Sequence, residues 1–122
     1  MFKLIRDNIP EIVIREGGKI NYAAVQDEDF FRGLLRGKFV EELNEYFASK
    51  DDLEELADVM TVLNYIIGDR RAEFDKIYEQ KLKDCGGFEK RFIAFFPDEP
   101  TEGYTEPQEI AVEPQPSEDY SN

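Results

Sequence analysis

Three pieces of one stretch decide the fold: Lys38-Phe39-Val40-Glu41-Glu42-Leu43-Asn44-Glu45, the turn-like Ser49-Lys50-Asp51-Asp52, and Leu53-Glu54-Glu55-Leu56-Ala57-Asp58-Val59. The first lies in a helix predicted from Asp27 or Glu28 to Ala48. Its apolar positions are Phe30, Phe31, Leu34, Leu35, Phe39, Val40, Leu43 and Phe47, which recur in steps of three and four and form one wide stripe. Gly33 and Gly37 weaken this helix slightly, and their spacing of four leaves room for a close neighbour. In the turn, Asp51 or Asp52 suits the N-cap of a second helix over 53–67. Leu53, Leu56, Met60, Leu63 and Ile67 form its stripe, and Val59, Val62 and Ile66 broaden it. A helix this apolar is expected to be covered on most sides, and Gly68 breaks it.

The acids in this hairpin have mirror symmetry. Glu42 and Glu45 are three apart on the first helix, and Glu55 and Asp58 are three apart on the second, so each pair shares a face. Residue 50 is the midpoint of 45 and 55, and also of 42 and 58. In an antiparallel hairpin, residues equidistant from the turn lie at matching heights. Glu45 therefore faces Glu55 and Glu42 faces Asp58 across axes about 8–10 Å apart. Four bare carboxylates in one small volume repel, so either protons or a divalent cation must relieve them. Oxygen-only ligands favour Mg²⁺ or Mn²⁺ over zinc or iron, and Mg²⁺ readily shares its shell with phosphates. That chemistry points to phosphoanhydride hydrolysis. The competing account is an ordinary solvated acidic face, since 35% of the chain is charged.

Outward from the hairpin, the signals are weaker. Pro10 suits the first turn of a short helix through Glu11-Ile12-Val13-Ile14-Arg15-Glu16, ended by Gly17-Gly18, and residues 19–27 read as a connection. A further helix spans about 70–84, with Phe74, Ile77, Tyr78 and Leu82 on one face and Gly86-Gly87 after it. The aromatic stretch from Phe88 to Phe96 reads as a strand or as an extended packing arm.

The chain has 122 residues and a formal charge of −13, but that charge is uneven. Residues 97–122 hold eight acids, no Lys or Arg, and five of the six prolines, so they read as a disordered acidic tail, either solubilising or partner-binding. Residues 1–96 then carry 20 acids against 15 bases and form the folded domain. The acidity disfavours binding to nucleic acid polymers, and no apolar run is long enough for a membrane span. With no His at all, imidazole bases, Ser-His and Cys-His pairs and His-ligated metals are excluded. Cys85 is the single cysteine, so no intrachain disulfide forms and a cytoplasmic setting fits; it reads as a small buried or half-buried residue with nothing nearby to activate it. There is no calcium-loop pattern and no glycine-rich phosphate loop.

The paired acidic segments resemble the metal motifs of the all-α nucleoside triphosphate pyrophosphohydrolases, which include MazG-like proteins, dimeric dUTPases and phosphoribosyl-ATP pyrophosphohydrolase. Two flanks sharpen the resemblance. Lys3-Leu4-Ile5-Arg6-Asp7-Asn8-Ile9-Pro10-Glu11-Ile12 is similar to the opening signature, and Lys81-Leu82-Lys83-Asp84-Cys85-Gly86-Gly87-Phe88 to the closing signature, of a phosphoribosyl-ATP pyrophosphohydrolase-like, house-cleaning branch. The resemblance covers residues 2–95. It departs at Asn8, where lysine is usual, at Cys85, where arginine is usual, and at Thr61, where that branch often has another acid.

The resemblance implies an all-α, helical hairpin-based bundle completed by oligomerisation into a homodimer or homotetramer. It implies Mg²⁺ held by Glu42, Glu45, Glu55 and Asp58, and hydrolysis between the α and β phosphates of a nucleotide, giving a monophosphate and pyrophosphate. Glu42 or Glu45 would orient the attacking water, acting as general base. Lys38, Arg6 and Lys81 become candidates for phosphate contact, or for pairing with the carboxylates. Phe30, Phe31, Tyr46 and Tyr65 are available either to stack on a base or to fill the core. The alternative on the same scaffold is a non-catalytic nucleotide-binding or protein-interaction module.

Overall fold

Asp27 and Asp52 mark where the two long helices begin. Each has an extended backbone and turns its carboxylate back on the first turn: Asp27 accepts from the amide of Phe30 at 2.8 Å, and Asp52 from that of Glu54 at 2.9 Å. These bonds satisfy amides that have no partner inside a helix. The computed structural model describes residues 2–95 and Glu109. Its helices are α1 (Ile9–Arg15), α2 (Glu28–Ala48), α3 (Leu53–Ile67) and α4 (Arg71–Cys85), with a 3₁₀ turn at Gly68–Arg70 between the last two. Among the described residues there is no strand, and the chain is all-α as expected. None of these helices is long and apolar enough to cross a membrane.

The described residues fall into two compact units, residues 2–69 and residues 70–95 with Glu109. The division follows Gly68, which ends α3 in a left-handed conformation (φ +56°) that costs glycine nothing.

In the first unit, α2 and α3 form the predicted antiparallel hairpin and pack along one another. Leu35 on α2 and Val59, Val62 and Ile67 on α3 are its buried apolar residues. The turn is closed by side chains as well as backbone. The Ser49 hydroxyl donates to the Tyr46 carbonyl and accepts from the Asp52 amide, and the Tyr46 hydroxyl donates to Asp51. Asp51 sits at φ +60°, a conformation a short polar side chain tolerates. Pro10 lies in the first turn of α1, where its missing amide costs nothing, and Gly17 at φ +85° follows the end of that helix.

Several expectations are corrected. Helix α3 is covered on one side rather than on most: Leu53, Met60 (61% exposed) and Tyr65 face solvent in the single chain, because α2 shields only the side packed on it. A Cβ at Gly33 or Gly37 would meet nothing within 4 Å, so among the described residues no neighbour packs closely on either glycine.

In the second unit, α4 ends at Gly86 (φ +81°), as the glycine pair predicted. Phe74 and Tyr78, one turn apart, stack at 6.3 Å. The residues from Phe88 to Phe95 form neither a strand nor a packed arm: Phe88, Phe92, Ile93 and Phe95 are exposed, and no neighbouring strand supplies ladder bonds. Cys85 is exposed, not buried, because it closes a helix whose described residues include none that is fully buried. Phe96 and the acidic tail expected over 97–122 lie outside the described residues, apart from Glu109.

Candidate metal centre

Glu42 is the pivot of the first unit. It projects from the middle of α2 and is only 6% exposed, the one buried charged residue among those described. Lys38, one turn earlier on the same face, places Nζ 3.1 Å from its Oε1. Its Oε2 is buried and has no hydrogen-bond partner. An ionised carboxylate held this way is costly unless something positive answers the second oxygen.

Other acids gather around it in two overlapping groups. Glu41, Glu42 and Glu45 bring carboxylate oxygens within 4.8 Å of one another along α2. Glu42, Glu55 and Asp58 do so across the hairpin. All four acids singled out by mirror symmetry thus take part, with Glu42 common to both groups. The symmetric cage of four is replaced by this shared vertex, and Glu45 gathers with Glu41 instead of completing a set with Glu55 and Asp58. Glu41 was overlooked as a ligand candidate. Its adjacency to Glu42 was the available signal, but neighbouring residues on a helix point about 100° apart, so the spacing rule passed it over.

Basic residues balance part of this charge. Lys3 lies 2.8 Å from Glu41, and Lys38 also approaches Glu41 at 3.4 Å. Arg6 places Nη2 2.6 Å from Asp58 Oδ1 and 3.4 Å from the Thr61 hydroxyl. Arg6 and Lys38, two of the three basic candidates, are therefore at the acids. The third, Lys81, is exposed on α4 in the second unit. Lys3, quoted within the opening signature but not singled out, is the further cation that the geometry adds.

Electrostatics separate these carboxylates. Glu45 is raised above the usual value of 4.5, first because its protonated form can donate to the Glu42 carboxylate, a bond absent while both are ionised, then by burial and the charges of Glu42, Glu41 and Glu55. Glu55 is also raised, first by desolvation and then by Asp58 and Glu42. Glu41 moves the other way, lowered chiefly by its hydrogen bond from Lys3. Lys3 is correspondingly raised by Glu41.

A cavity of about 460 Å³ opens beside the acids. Arg6, Lys38, Glu42, Asp58 and Thr61 supply its polar side, while Leu4, Ile9, Phe31, Leu35, Val62 and Tyr65 supply its apolar side. Its size suits a small organic ligand. Of the four aromatics considered for stacking, Phe31 and Tyr65 line it. Phe30 meets Phe2 edge-on at 5.8 Å, and Tyr46 is engaged with Asp51.

The donor set fits a hard divalent cation: carboxylate oxygens alone, close together, one of them buried and unanswered. In comparison with known proteins, no family model matches the chain, and no curated protein or solved structure is significantly similar to it.

Proposed function

We propose that this chain is a divalent-cation-dependent nucleotide pyrophosphohydrolase, cleaving between the α and β phosphates to give a monophosphate and pyrophosphate. The observation that carries this reading is the unanswered, buried oxygen of Glu42 at the junction of two carboxylate groups. Glu41, Glu42, Glu45, Glu55 and Asp58 face three cations, Lys3, Arg6 and Lys38. Five negative charges against three positive leave a formal −2, the charge that one divalent ion offsets.

Glu42, Glu45, Glu55 and Asp58 would hold Mg²⁺, or Mn²⁺ in its place. When bound, such an ion neutralises phosphate charge and acidifies water. The protein's own part is positional. The α2–α3 hairpin fixes the height of the acids, and Glu42 or Glu45 orients the attacking water and accepts its proton. Arg6 and Lys38 line the cavity beside the acids, where a substrate's phosphates would meet them. Phe31 and Tyr65, lining the same cavity, offer ring faces to a base. Lys81 keeps its substrate role on the resemblance of its segment alone.

The same reading places the chain among the all-α, MazG-like and phosphoribosyl-ATP pyrophosphohydrolase-like enzymes. What supports this is the order of four similar segments and the hairpin that presents two of them to each other. It also implies a homodimer or homotetramer. The solvent-facing Leu53, Leu56 and Met60, spaced three and four apart on α3, supply an apolar stripe for a second copy.

The test is a panel of nucleoside triphosphates with product identification. Pyrophosphate should appear only with Mg²⁺ or Mn²⁺, and Glu42→Ala or Asp58→Ala should abolish it while helicity by circular dichroism is kept. Undiminished turnover in those variants removes the assigned roles. Tight nucleotide binding without product favours the binding module instead.

A further inference from the structure

The opening segment reaches the acids through Lys3, at Glu41, and through Arg6, whose geometry is the more specific. Arg6 lies in irregular backbone before α1, and its own carbonyl accepts from the Ile9 amide at 3.1 Å, which fixes its main chain at the helix entrance. Its guanidinium then meets α3 at two residues three apart, Asp58 and Thr61. The Thr61 hydroxyl donates its proton to the Ala57 carbonyl at 2.9 Å, so towards Arg6 it is an acceptor. The contact to Asp58 engages Oδ1. Asp58 belongs to the carboxylate group that contains the buried, unanswered oxygen of Glu42.

We propose that Arg6 is a positioning residue for the cation centre: it holds Asp58 by Oδ1 so that Oδ2 is presented to an ion shared with Glu42 and Glu55. This rests on the cation-site reading above and adds a role for a residue that would not itself touch the ion. A carboxylate that is hydrogen-bonded on one oxygen pays less rotamer entropy on ligating with the other. Both contacts leave from one nitrogen, Nη2, at 2.6 Å to Asp58 and 3.4 Å to Thr61, and the always-charged, planar guanidinium holds that nitrogen in a fixed direction, which a freely rotating lysine ammonium does less well.

Orientation and simple electrostatics predict opposite signs. Arg6 is a positive charge beside a cation site, so by Coulomb repulsion alone its removal should tighten ion binding. If it positions Asp58, its removal loosens binding, and losses of such outer partners are commonly about tenfold or more. The experiment is Mn²⁺ titration of the metal-free, full-length protein, followed by calorimetry and by the electron paramagnetic resonance of the bound ion. The inference expects Arg6→Ala to bind Mn²⁺ about tenfold more weakly than the unmutated protein and to broaden the bound-ion spectrum. Arg6→Lys should restore part of the affinity, and Thr61→Val should weaken binding by a smaller factor in the same direction.

Equal or tighter binding in Arg6→Ala overturns the inference while leaving the cation site standing. Should Arg6→Ala lose its helicity, Arg6→Lys and Thr61→Val carry the test, and unchanged or tighter binding in both has the same consequence. Absence of Mn²⁺ binding in the unmutated protein would remove the cation site, and this inference with it.

Discussion

Lys38 and Glu42 form an ion pair at 3.1 Å that satisfies only half of the carboxylate, since Nζ meets Oε1 while Oε2 remains buried without a partner. The pair is intrahelical and would form on α2 alone. The burial is not, because it depends on α3 crossing the same face. Glu42→Gln keeps the shape of the side chain but removes its charge. It should abolish the thermal shift produced by Mg²⁺ or Mn²⁺ and lower kcat/KM at least a hundredfold, about 2.8 kcal/mol at the tenfold-per-1.4 kcal/mol exchange rate. Differential scanning fluorimetry with and without the ion reads the first effect and steady-state kinetics the second; a full thermal shift in the variant removes Glu42 from the ligand set.

An ion that binds only the native state stabilises it by mass action. At about a hundredfold excess of free ion over Kd this amounts to about 2.7 kcal/mol. Mg²⁺ or Mn²⁺ should therefore raise the urea midpoint of the metal-free protein, and a chelator should reverse the gain. Coincident unfolding curves with and without the ion would count against the cation centre.

The metal-free protein should respond to pH through two opposed sets of acids. Glu45 and Glu55 are raised above 4.5, so their stabilising protonation is present at low pH and is lost as pH rises through their folded values. Glu41 is lowered, so its contribution is present above 4.5 and is lost as pH falls through its folded value. Stability should thus climb as pH drops from neutrality towards the raised values, and fall once Glu41 is protonated. The double variant Glu45→Gln, Glu55→Gln should flatten the upper limb in chelator. An unchanged pH profile of the urea midpoint in that variant would refute the assignment.

Asp52 caps α3 through the Glu54 amide, and α3 carries Glu55 and Asp58 in its first two turns. Asp52→Ala should cost about 1 kcal/mol of stability in chemical denaturation. It should also weaken ion binding modestly, because a frayed first turn no longer holds Glu55 at a fixed height. Full stability in the variant would show that the cap is redundant with the Ser49 and Asp51 contacts of the turn.

The apolar stripe on α3 predicts association. Met60→Lys places a charge at a position 61% exposed in the single chain, so it should leave the fold of an isolated subunit intact. It should shift the protein to a smaller species in sedimentation equilibrium. An oligomer that persists in Met60→Lys places its interface elsewhere.

The local structure was legible because it depends on neighbours in sequence. The limits of α2 and α3 follow from Asp27, Asp52, Gly68 and the three-and-four spacing of apolar residues, and a short turn forces those helices to run antiparallel. From that, Glu42 and Asp58 had to lie on facing helices at one height. What the sequence could not decide is which side of each helix is covered, and by what. Among the described residues Glu42 became the single buried acid, and Glu45 grouped with Glu41 and Glu42 rather than with Glu55 and Asp58, because rotation about a helix axis is set by packing and not by spacing. The pairing of Arg6 with Asp58 spans 52 residues, and only the path of the opening segment brings the two together. Periodicity carries information along one element at a time, whereas a long-range ion pair depends on how separate elements dock, and that is decided only when the chain folds.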